Sequence, residues 1–215
     1  MPVPVKICGI RSLEDAKTAL KHGASAIGFI FFKHSKRFID PDDAFKLIKD
    51  LGFQFKKVGV FVDENINVVN SISDKLDLDF VQLHGNENET YCKLVKKPVI
   101  KVFRVGKQFN ESILSSYEVA AFLFDNYKKN ELGGTGETFD WNLISNIKIS
   151  VPIILSGGLN VMNVMNSIEK ISPAAIDLNS GIESSPGVKD EGKISEIFKK
   201  IRSAKWSDNF FKRNF

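Results

Sequence analysis

Much that would assign a chemistry at once is missing from these 215 residues. There are two cysteines, Cys8 and Cys92, and three histidines, His22, His34 and His84. None of them has the spacing of a metal site, so no bound metal is expected. Two isolated cysteines offer no disulfide framework and suit a reducing compartment. No apolar run is long enough to span a bilayer. The opening residues, MPVPVKICGI, enter a strand-like run with no basic segment and no long apolar stretch before it, so a secretory leader is not expected and a cytoplasmic location is. The turn Cys8-Gly9-Ile10-Arg11 lacks the G-x-G-x-x-G fingerprint, and neither a Walker loop nor a nucleophile elbow occurs elsewhere. Charge of one sign is scarce too. The formal net charge is +4, and the lysines are scattered, with no basic stripe between aromatics before the C-terminal tail. Nucleic acid and membrane are therefore not expected partners, and a small positive excess suits a phosphorylated, anionic small molecule.

What is present is a core and a rhythm. Hydrophobic residues make up 43% of the chain. Short β-rich runs recur at Val3–Cys8, Ala26–Phe32, Lys57–Val62, Phe80–His84, Val99–Val105, Ala120–Asp125, Pro152–Ser156 and Ala174–Asn179. Helix-like runs alternate with them. One starts after Ser12 as N-cap and stops at Gly23; another has Asp40 as cap, Pro41 in the first turn and Gly52 at its end. Asn160–Lys170 and Asp190–Arg202 supply the last two. Eight β-then-α units predict an α/β fold, a single (β/α)₈ barrel domain over residues 1–215, with an aromatic tail at 203–215 that packs on the barrel or on a partner subunit.

Alternation along the strands then sorts the polar residues. If the apolar partners face the helices, Lys6, Cys8, Gln82, His84, Asp125, Asp177 and Asn179 point into the barrel. Cys8, His84, Asp125 and Asn179 fall at strand C-termini, the rim where barrel enzymes carry their chemistry. After the seventh strand comes LSGGLN, and after the eighth NSGIESSPG. Gly157, Gly158, Ser180 and Gly181 are expected to offer backbone N–H groups to a phosphate there. A thiol at one strand end can take a carbon-bound proton if a neighbour such as Lys6 lowers its pKa, and a carboxylic acid at another can protonate a leaving oxygen. One acid and one base above a phosphate cradle suit the isomerisation of a sugar phosphate.

The stretches KICGI, SKRFIDP, VGVFV, VQLHG, LFDN…GGTGETFDW, ILSGGL and DLNSGIESSPGVKD run in order through all eight units and resemble the phosphoribosylanthranilate isomerase family of tryptophan biosynthesis. The resemblance implies a cofactor-free Amadori rearrangement of N-(5-phosphoribosyl)anthranilate by a monomer or homodimer. It implies that Cys8 is the general base and Asp125 the general acid, and that Arg37 binds the anthranilate carboxylate; His84 and Lys6, placed inward by the strand alternation, are expected as further substrate contacts. It also implies a lid over residues 126–139. Asn179 departs from the family, which usually has Ser there, and this bears on the phosphate contacts. The rivals are the related isomerase of histidine biosynthesis, which has Asp where Cys8 stands, and a non-catalytic phosphate-binding barrel.

Overall fold

In the computed structural model, residues 3–52, 55–126 and 138–202 are described. Eight parallel strands close into a barrel in sequence order, the last pairing with the first. They are β1 (Val5–Ile7), β2 (Ala26–Ile30), β3 (Lys56–Phe61), β4 (Phe80–Leu83), β5 (Val99–Val105), β6 (Ala121–Asn126), β7 (Ile153–Leu155) and β8 (Ala175–Leu178). Each falls within a residue or two of its expected place. The helices are α1 (Leu13–His22), α2 (Pro41–Leu51), α3 (Ile66–Lys75), α4 (Glu89–Leu94), α5 (Asn142–Ser145), α6 (Val164–Ile171) and α7 (Glu191–Arg202). Among the described residues no helix is long and apolar enough to cross a membrane.

Register fixes which side chains share the interior. Lys6 pairs with Ala26 and Asp177, Val60 with Gln82, Gln82 with Ile100, and Leu123 with Ile154. Ala26, Val58, Phe80, Ile100, Val102, Ala121, Leu123, Ile154 and Ala175 accordingly form one buried cluster inside the barrel. A second and larger cluster lies between the strands and the helices, where Ile7, Val81, Leu83, Phe122, Phe124, Ile176 and Leu178 meet Ala16, Leu47 and Ile194. The expected parity holds in every strand where it was drawn.

The helical ends also follow their local chemistry. Ser12 Oγ accepts from the Asp15 N–H at 3.1 Å and Gly23 closes α1 with φ 103°. Asp40 Oδ1 accepts from the Asp42 N–H at 2.9 Å, with Pro41 next, and Gly52 ends α2 with φ 67°. Three expectations need correction. In the fifth unit a 3₁₀ turn at Glu111–Ser116 replaces an α-helix, and in the sixth α5 is a single turn. The helix expected from Asn160 begins at Val164. A feature not anticipated is a hairpin after β8, made of β9 (Glu183–Ser185) and β10 (Val188–Lys189), which folds back toward the barrel mouth. The tail at 203–215 and most of the expected lid, 127–137, lie outside the described residues.

Candidate active site

At the C-terminal end of the barrel a cleft opens to solvent. Cys8, Arg37, Gln82, His84, Asp125, Gly157, Gly158, Ser180 and Gly181 all line it, carried by the ends of six strands or the loops after them. Asp177 and Asn179 line it as well. The expected residues are thus brought together with one exception. Lys6 is fully buried beneath the cleft, its Nζ 2.9 Å from both Asp177 carboxylate oxygens, and does not line it. Its place is as a charge under the site.

That charge acts on Cys8. Gly28, opposite on β2, leaves the room for it, since a Cβ there would come within 2.9 Å of Cys8 Sγ and 3.1 Å of Lys6 Nζ. Burial works against the Lys6 ammonium, but Asp177 and Cys8 outweigh it and hold its pKa above the ordinary lysine value. The thiol itself is pushed above its ordinary value. Burial is the main cause and Asp177 adds to it, while Lys6 pulls the other way. Lys6 therefore acts in the expected direction, but it does not bring the thiol down toward neutrality.

Across the cleft, Asp125 is 6% exposed. Its Oδ1 accepts from the Asn126 N–H at 2.7 Å. Its Oδ2 lies 3.3 Å from His84 Nε2, near enough for an ion pair but not aligned as a hydrogen bond. Gln82 Nε2 approaches His84 Nδ1 at 3.5 Å, and Gln82 Oε1 is buried with no partner among the described residues. Both orphaned atoms belong to residues that line the cleft, so a bound hydroxyl or N–H group can satisfy them.

The glycine loops adjoin the acid. Gly157 and Gly158 take φ of 85° and 64°, a left-handed conformation that glycine adopts without strain. Among the described residues neither of their N–H groups has an acceptor. Asn160 and Asn163 hold the loop by donating to the Gly158 carbonyl at 3.1 and 2.9 Å. After β8, Ser180–Ile182 form a short 3₁₀ turn. A Cβ on Gly181 would overlap the Leu159 carbonyl oxygen, so the two loops pack backbone to backbone.

Arg37 comes in from the segment after β2. Gly9 lets it pass, because a Cβ there would lie 2.9 Å from Arg37 Cδ. The guanidinium is held by Glu183 of the hairpin: Nε donates to Oε1 at 2.9 Å and Nη2 to Oε2 at 2.7 Å. Lys189, the cross-strand partner of Glu183, donates to its Oε1 at 2.8 Å and to Asn179 Oδ1 at 3.0 Å. Asn179 thus spends its carbonyl on Lys189. Sequence reasoning gave no role to Glu183 or Lys189. The signal was there: opposite charges six residues apart across a Ser-Pro-Gly turn predict a facing pair.

A family model described as N-(5'phosphoribosyl)anthranilate (PRA) isomerase matches residues 5–200. The N-(5'-phosphoribosyl)anthranilate isomerase of Geobacter sp. (strain M21) is 45% identical over 190 residues, covering 88% of this chain and 93% of that one. The crystal structure of phosphoribosyl anthranilate isomerase from Thermotoga maritima has a TM-score of 0.83 at 36% identity, covering 94% of this chain and all of that one. A phosphoribosyl anthranilate isomerase solved in complex with reduced 1-(o-carboxyphenylamino)-1-deoxyribulose 5-phosphate has a TM-score of 0.78 at 34% identity, with coverage of 94% and 100%.

Proposed function

The chain belongs to the N-(5'-phosphoribosyl)anthranilate isomerase family, and from that premise we propose how its own residues carry out the rearrangement. The substrate is N-(5-phosphoribosyl)anthranilate and the product 1-(2-carboxyphenylamino)-1-deoxyribulose 5-phosphate. The observation that carries the reading is the meeting, in one cleft, of a buried thiol, a carboxylate, an arginine and two glycine loops. A mere phosphate-binding barrel needs neither the acid nor the base.

The N–H groups of Gly157, Gly158, Ser180 and Gly181 bind the phosphate, and Arg37 takes the anthranilate carboxylate. Asp125 protonates the ribose ring oxygen. The C1′–O bond breaks as the anilino nitrogen's lone pair forms the C=N bond, leaving an iminium. Cys8 then removes the C2′ proton, and the C2′–H electrons form the C1′=C2′ bond while the iminium electrons return to nitrogen. The resulting enolamine loses its hydroxyl proton and gains one at C1′, which gives the ketone. Atoms and charge balance without any added group.

Timing follows from the thiol. In the empty cleft burial keeps it protonated. The iminium puts a positive charge beside it, and an opposite charge a few ångströms away lowers a thiol's pKa. The thiol's own proton then leaves to solvent, to which the cleft opens, so the base is switched on by the first step. Gln82 Oε1 and His84 Nε2 are available to sugar hydroxyls, and His84 also flanks the acid. The test is direct: anthranilate fluorescence of the substrate should vanish when the purified chain is added, and persistent emission with folded protein defeats the reading.

A further inference from the structure

Glu183 and Lys189 are buried ionic residues for which the mechanism above has no use. Glu183 is 6% exposed and Lys189 7%. A buried ion pair is weak evidence for stability, since desolvation opposes the attraction. Its geometry, by contrast, is specific. Glu183 grips Arg37 side-on, through Nε and one N–H of Nη2. That leaves the end-on edge of the guanidinium, the two Nη1 hydrogens and the second on Nη2, on a side chain that lines the cleft. The end-on edge is itself a fork that matches a carboxylate.

We propose that the hairpin is a specificity device: Glu183 is a positioning residue that aims the end-on edge of Arg37 at the substrate's aryl carboxylate, and Lys189 leaves the cluster one positive charge in excess until that carboxylate arrives. The inference rests on Arg37 being the carboxylate site. Two cations face one carboxylate here, and among the described residues the other hydrogen-bond partner of Lys189 is the neutral Asn179 amide. Burial lowers the Lys189 pKa despite the opposing pull of Glu183, as expected where negative charge is in short supply. Glu183 is itself held down by Arg37 and Lys189 against the effect of burial, so it is ionised at neutral pH. The device also explains why both residues sit on a hairpin: facing strands hold a pair in register without a long flexible linker.

The experiment is calorimetric titration of the full chain with two non-reacting ligands, a reduced product analogue and the same molecule without its ring carboxylate. Glu183→Asp keeps the charge but shortens the reach by one methylene, which breaks the side-on fork. Lys189→Met keeps the length and removes the surplus cation. Wild type should prefer the carboxylated ligand. Glu183→Asp should lose about tenfold or more of that preference, as misplacements of roughly 1 Å do, and Lys189→Met should lose less in the same direction. KM should rise far more than kcat falls, and inorganic phosphate should bind all three proteins equally. A purely structural pair would lower the melting temperature and leave the preference intact, so a folded Glu183→Asp with wild-type preference overturns the proposal. If wild type shows no preference, the carboxylate reading of Arg37 has failed and this inference goes with it.

Discussion

At the scale of single residues, the acid and the base differ in how their surroundings treat them. Cys8 sits over a buried ammonium and under an apolar rim of Ile30 and Val60. Asp125 faces His84 across 3.3 Å. Cys8→Ser preserves shape but installs a hydroxyl of far higher pKa, and Asp125→Asn preserves a donor that cannot deliver its proton. Each should lower kcat/KM by about 10²–10⁴-fold, the usual contribution of an acid–base step. Both should still bind a product analogue and melt near wild type. A folded Cys8→Ser enzyme with more than about a tenth of wild-type activity, well short of that range, would end the assignment. Arg37→Ala has a different signature. It removes a carboxylate contact and also leaves Glu183 Oε2 without its partner, so KM should rise steeply with a smaller change in kcat, and the melting temperature should drop. Steady-state kinetics beside a melting curve separates these two effects.

At the scale of elements, the strands were legible because each is apolar on one face with the polar exceptions on the other. A slip of one residue would have reversed every side chain, so the pattern had one consistent solution. The same alternation located Cys8, His84 and Asp125 before any contact was known. The fifth and sixth helices were not legible. In the segment Glu111–Ser116, Ser115 Oγ donates to the Ser112 carbonyl at 2.9 Å and Ser116 Oγ to that of Ile113 at 2.8 Å. Side chains that bond their own preceding turn compete with an α-helix. Asn160 and Asn163 delay α6 in the same way, each accepting from a nearby N–H at 2.8 Å. The hairpin itself has a local signal in its facing charges, but its value to the site lies in what Glu183 touches, 146 positions back at Arg37, which no local pattern reveals. The glycine loops, in contrast, were visible as turn signals, and their close packing yields a prediction. Gly181→Ala would drive a Cβ into the Leu159 carbonyl oxygen and push the two loops apart. Affinity for inorganic phosphate should fall about tenfold or more, the loss of one or two charge-assisted hydrogen bonds. Unchanged phosphate binding would place the anion elsewhere.

At the scale of the whole molecule, the thiols tie catalysis to alkaline stability. Cys92 lies on α4 against the barrel, 4% exposed. Burial pushes its pKa from an ordinary 9.0 to about 11; Lys101 pulls it down, and Glu87 and Glu89 push it up. Cys8 moves the same way. In both, the folded pKa is above the unfolded one. The folded state therefore keeps protons that the unfolded chain releases; for Cys92 the stability this confers is full below pH 9 and lost as pH rises from 9 toward 11. For Cys92 the two-unit shift corresponds to roughly 2–3 kcal/mol over that window. The melting temperature should fall steeply between these values. Cys92→Ala lowers the starting stability by leaving a small cavity, yet its decline with pH should be shallower, because one of the two linked protons is gone. Activity should move in the opposite sense, since the Cys8 thiol must shed its proton before it can act: kcat/KM should climb as pH rises until unfolding cuts it off. A Cys92→Ala protein whose melting temperature falls with pH as steeply as wild type would show that this thiol keeps no proton on folding, and the burial argument would fail with it.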